Sequence, residues 1–175
     1  MAGLSIRALT KLEAGFSPQR FGAGCLLLLL SCWQLAAAND SVNAILEATE
    51  APVGVVFEIV EDDEEILEEL MPQVLDAIER IRARFPQTEF AVVSHGLEEF
   101  ALQTRYRDDY SDLHRQVQAL VADDVPVHVC ETHAGWYGVS AQDFPDYVDV
   151  APTGPGQLNL YLDLDYQLVV IEPAE

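Results

Sequence analysis

Lysine is nearly missing from this sequence: Lys11 is its single instance, and every later cation is an arginine. Nine Lys and Arg face 30 Asp and Glu, for a net charge of -21. So deep a shortage of cations argues against nucleic-acid binding, whose affinity comes largely from cations displacing counterions from the phosphate backbone. Anionic lipid headgroups are disfavoured for the same reason. The acidity has two readings: an acidic proteome from a GC-rich genome, or adaptation to a saline exterior where dense carboxylates are screened and keep the chain soluble. Cysteine is scarce too, at Cys25, Cys32 and Cys130. Internal repeats and low-complexity tracts are missing. What is present suffices for a core: half of the 175 residues are hydrophobic, which predicts one globular domain with an appendage.

The appendage is at the start. Arg7, Lys11 and Arg20 precede the apolar run from Phe21 to Leu30, and Ala36 and Ala38 then occupy small-residue positions before Asn39. That order is the layout of a secretory signal over residues 1–38, with cleavage after Ala38. The apolar run is short for a transmembrane helix, so no membrane insertion of the mature domain is expected. A second reading takes Leu29-Leu30-Ser31-Cys32 as a lipoprotein box acylated at Cys32, and a third leaves the segment as an uncleaved anchor. Either cleaved form is exported to the periplasm or beyond. Cleavage after Ala38 removes three cations and one anion, taking the net charge from -21 to -23, and leaves Cys130 as the one thiol. An internal disulfide is then impossible.

Residues 39–51 read as a polar linker and 52–175 as the domain. The run Val53–Val60 predicts a strand apolar on both faces, taken as the central one. Glu61 to Glu65 then suit the positive start of a helix, with Pro72 set to kink or restart it. Its apolar stripe is Ile66, Leu67, Leu70, Val74, Leu75, Ile78, Ile81 and Phe85. Further strands are predicted at 88–93, 125–129, 148–150 and 167–171, with helices at 111–121 and 157–164. Alternating strands and helices imply parallel pairing, hence an open, mostly parallel five-stranded α/β sheet with helices on both faces. In such sheets chemistry collects at the carboxyl ends of strands, where Ser94-His95-Gly96 and Cys130-Glu131-Thr132-His133 fall.

The order of these segments resembles the DsrE/DsrF-like family. Val92-Val93-Ser94-His95-Gly96 closes the second strand and Val125 to Cys130 the third. Gly138-Val139-Ser140, Asp143, Val148, Val150, Pro152, Gly154 and the ending Glu172-Pro173 extend the likeness over 53–173. The resemblance implies a flavodoxin-like sandwich, small homo-oligomers and, in some members, a sulfur carrier or sulfurtransferase that relays sulfur as a cysteine persulfide, with a donor or acceptor protein as partner. Cys130 matches the position of that cysteine. Two features depart from the pattern: His133 stands where Thr or Ser is frequent, and this chain reads as exported whereas the best-known relays are cytoplasmic.

Cys130 has a physical case of its own, because a thiol facing the first amides of a helical turn has its thiolate favoured. Glu131 opposes this, and an inert packed cysteine in a non-catalytic oligomeric binding or assembly module is the rival reading. One helical turn brings His133 back to Cys130 as a proton acceptor or cationic neighbour, or else His133 is a helix-surface residue. His95 projects into the same crevice or satisfies local backbone groups, and His128 is a sheet residue. Trp136 and Tyr137 line a pocket or an oligomer contact, or pack in the core. No cofactor is expected. A metal set of Cys130, His133 and His95 matches no standard ligand spacing, and the acids Glu61 to Glu69 lack the glycine and alternation of a calcium loop.

Overall fold

The computed structural model of the protein describes residues 37–173, with side chains from Asp40 onward, so the expected signal segment, Cys25 and Cys32 lie outside the described residues. Five strands form one open sheet: β1 (Gly54–Ile59), β2 (Glu89–Ser94), β3 (Val127–Cys130), β4 (Asp149–Ala151) and β5 (Tyr166–Val170). Every pairing is parallel, in the order β4-β3-β2-β1-β5. The expected open α/β sheet is therefore present, with one correction: the middle strand is β2, not β1. β1 is an inner strand even so, which accounts for its near-continuous apolar run.

Alternation along the strands divides the interior in two. Val55, Phe57 and Ile59 of β1, with Phe90, Val92, Val127, Val129 and Val169, face the larger core. Val56, Ala91 and Val93 face the smaller one, with Leu158. The larger core is closed by α2 (Leu67–Arg84) and α3 (Ser111–Ala122), together with α1 (Ala37–Glu47). α2 buries Leu67, Leu70, Met71, Val74, Ala77, Ile78 and Ile81, the three-and-four spacing of one helical stripe. The acids Glu61 to Glu65 precede this helix rather than open it, and Glu68 and Glu69 occupy its first turn. Pro72 neither ends nor restarts α2; it sits inside the helix near its start on the exposed side, where water can take the carbonyl its ring leaves unpaired.

Residues 39–51, read as a linker, are largely α1. Val42 and Ile45 are buried, and the helix packs on α2 and β5. Among its described residues Val42 and Ile45 are buried and Leu46 packs partly against the core, too few apolar residues to stand out from a polar stretch.

The smaller face is covered by α5 (Gly154–Asp163), which follows the short α4 (Glu131–Trp136) and β4. Thr153 caps α5, its Oγ1 accepting the Gly156 N–H at 3.1 Å, and Pro155 sits in the first turn, where no amide is needed. Thr153→Ala should lower stability by about 1 kcal/mol, read as a lower urea midpoint with an unchanged slope.

Candidate functional site

Ile59, Ser94 and Cys130 end β1, β2 and β3 side by side, so the segments that follow them meet above the carboxyl edge of the sheet. β1 runs on into 60–63, β2 into His95, Gly96 and a 3-10 segment (Leu97–Leu102), and β3 directly into α4. The 3-10 segment carries the electrostatics. Its Glu98 and Glu99 have no solvent exposure at all.

Glu98 is fully engaged. Its Oε1 accepts from the Ser94 hydroxyl at 2.7 Å and the Gly96 N–H at 3.0 Å, and its Oε2 accepts the Glu61 N–H at 2.8 Å. One buried carboxylate thus ties the end of β1 to the end of β2.

Glu99 ties the second strand to the third. Its Oε2 accepts the Cys130 N–H at 2.7 Å, and its Oε1 lies 3.0 Å from His133 Nδ1. Loss of water pushes its carboxyl up to about 7; the Cys130 amide and the His133 ring oppose the rise, and Glu98 adds to it.

Cys130 caps α4, and its Sγ accepts the His133 N–H at 3.3 Å. The thiol is free and 4% exposed. A backbone amide of the first turn of α4 is thus aimed at the sulfur. The contact to His133 runs through its backbone, however. The imidazole is held by Glu99 and stacks on Phe100, with ring centroids 5.7 Å apart. When Glu99 is ionised, Nδ1–H donates to it and Nε2 is left as the acceptor.

His95 does not serve local backbone groups. Its Nε2 lies 2.9 Å from Glu58 Oε1, across the strand boundary. The start of α5 presses on this ring: a Cβ on Gly154 would stand 2.3 Å from His95 Cβ, so glycine permits the close approach. The two histidines meet along a crevice of about 450 Å³, each with a carboxylate behind it. Cys130 does not line that crevice. His128 is a sheet residue as expected, buried under α5 with Nε2 2.8 Å from the Tyr161 hydroxyl.

Trp136 and Tyr137 are not core residues: they are 75% and 58% exposed, although both contact the His133 ring. Among the described residues, no group of three or more His, Cys, Asp or Glu is placed to hold a metal ion. Sequence reasoning missed Glu58, Glu98 and Glu99. On an α-helical wheel through Leu97, Phe100 and Ala101, Glu98 and Glu99 fall on the solvent side, whereas the tighter 3-10 turn buries both. A visible hint was that Phe100-Ala101-Leu102 leaves little room for an exposed helix.

No family model and no curated protein matches this chain. Solved structures similar to it include a protein of unknown function from Methanobacterium thermoautotrophicum, MTH1491, at 24% identity and a TM-score of 0.54, covering 67% of this chain and 97% of that one. Another is a conserved protein of unknown function from Bacteroides thetaiotaomicron, BT1422, at 12% identity and a TM-score of 0.49, covering 71% of this chain and all of that one. The first likeness supports the fold and carries no chemistry.

Proposed function

We propose that this is an exported DsrE/DsrF-like protein that carries sulfane sulfur as a persulfide on Cys130. The observation supporting this most directly is the Sγ at the mouth of α4, 3.3 Å from the His133 amide. In the loading step the Cys130 thiolate attacks the outer sulfur of a persulfide donor R–S–SH. The donor S–S bond breaks, R–S⁻ leaves with the electron pair, and Cys130–S–SH forms, with no net oxidation. Attack on Cys130–S–SH by an acceptor thiolate reverses the sequence. His133 and His95 are helpers in this reading, although neither ring is hydrogen-bonded to the sulfur: His133 reaches it through its backbone amide, and the two rings are held by Glu99 and Glu58. Export rests on the segment 1–38, cleaved after Ala38 or acylated at Cys32. Homo-oligomers belong to the same reading, with Leu160 on α5, Leu164 just after it and Leu168 and Val170 on β5 as the exposed apolar surface on hand.

The 4% exposure of Cys130 favours a second reading, a non-catalytic assembly module in which the thiol is packed. Intact mass after incubation with a persulfide donor separates the two. The wild-type protein is expected to take up one more sulfur than Cys130→Ser; equal uptake would end the carrier reading. A thiol reagent that modifies Cys130 fast only after unfolding would support the packed one.

A further inference from the structure

The crevice beside His133 is built from three kinds of lining at once. Val60 and Leu97 supply apolar surface, the rings of His133 and Tyr137 supply aromatic surface, and Glu61 and Asp62 supply carboxylates. Among the described residues, no Lys or Arg lines it. Val60 and Tyr137 stay about half exposed, an unusual outlay of apolar side chains around a concave site.

The charge around it is one-sided. Behind the lining stand Glu58 and Glu99, each against an imidazole, and the buried Glu98. Burial and the carboxylates of Glu98, Asp62, Glu172 and Asp63 all push the Glu61 carboxyl up, with no cation opposing them. An anionic ligand would be repelled here. A cation with an apolar body would meet aromatic rings, greasy walls and two acids that have no counter-charge among the described residues, the combination by which organic ammonium groups are recognised.

We propose that this crevice is a binding site for a small organic ammonium compound, its cation set against Glu61, Asp62 and the Tyr137 ring and its apolar part against Val60 and Leu97. The site shares His95 and His133 with the sulfur reading but not the sulfur itself, because Cys130 does not line it.

Titration of the full-length protein with 2-phenylethylammonium tests this, followed through the emission of Trp136, whose ring centroid is 5.5 Å from that of His133. Saturable binding with a dissociation constant at or below about 1 mM is expected. The neutral 2-phenylethanol should bind at least about tenfold more weakly and 3-phenylpropionate not at all. Glu61→Gln with Asp62→Asn should cost about tenfold or more, as should Tyr137→Ala, while Cys130→Ser keeps the wild-type affinity. Asp163→Asn with Asp165→Asn removes the same charge at the opposite end of the sheet and should change little. Equal affinity for the ammonium and the alcohol, or equal losses in the two charge-removing pairs, would overturn the proposal.

Discussion

Glu99→Gln is expected to be more stable than the wild-type protein above pH 7 and to lose most of that advantage below pH 4.5. Glu99 is fully buried, and its carboxyl is raised from 4.5 to about 7 in the folded chain. Below 4.5 both folded and unfolded states hold the proton, and the side chain costs nothing extra. Between 4.5 and 7 the unfolded chain releases the proton and the folded chain keeps it, so stability falls as pH rises. Above 7 both are ionised and the penalty is constant. At 1.36 kcal/mol for each tenfold change in proton affinity, the penalty is on the order of 3 kcal/mol. Gln keeps the geometry: its oxygen accepts the Cys130 N–H, and its NH₂ donates to His133 Nδ1. Urea midpoints across pH 4 to 8 should therefore diverge in favour of the variant as pH rises, and parallel curves would refute a buried, titrating Glu99. Glu99→Leu, by contrast, should be destabilised at every pH, because the Cys130 N–H and the His133 ring lose their acceptors, at about 1–3 kcal/mol for each.

The same substitution bears on chemistry. With Gln at 99 the His133 Nδ1 becomes an acceptor, so the ring hydrogen sits on Nε2 instead of Nδ1. A change in the pH profile of Cys130 modification, with its sulfur still loadable, would assign Glu99 a positioning role through His133.

The five strands could be read from the chain because each is a local apolar run, and their limits shift by only a residue or two between expectation and structure. Val125–Val129 became Val127–Cys130, and Val148–Val150 became Asp149–Ala151. Cys130, His133 and His95 could be placed at the carboxyl edge for the same reason. Their partners could not, because a partner is fixed by register between strands far apart in sequence. Glu58 pairs with Val93 and Ile59 with Ser94, and the ladder continues as the His95 N–H donates to the Ile59 carbonyl. Only that alignment brings Glu58 beside His95. Trp136 and Tyr137 misled in the other direction: their size suggested core, but α4 is a single short helix at the sheet edge, and among the described residues both side chains stay exposed at its end. α1 escaped notice because its described apolar face is only Val42, Ile45 and the partly buried Leu46, against a surface made by α2 and β5.

Gly96 is the residue on which the whole carboxyl edge is expected to depend. Its backbone, at φ -110° and ψ -161°, is extended and open to any residue, so glycine is not required by conformation. It is required by space. A Cβ there would stand 2.3 Å from Glu98 Oε2, 2.4 Å from the Glu61 carbonyl oxygen and 2.6 Å from the Glu61 nitrogen. None of these can retreat cheaply, since Glu98 holds three donors and the Glu61 carbonyl accepts the Leu97 N–H at 2.7 Å. Gly96→Ala must separate the ends of β1 and β2 or expel a buried carboxylate from its donors, and should cost about 3 kcal/mol or more. Gly135 in α4 has nothing within 4 Å of its added Cβ, so Gly135→Ala should be neutral or slightly stabilising. Because Gly96 also lines the crevice, its replacement should abolish ammonium binding along with stability, whereas Gly135→Ala should leave both intact. A Gly96→Ala protein as stable as wild type would mean that Glu98 does not clamp the two strands together.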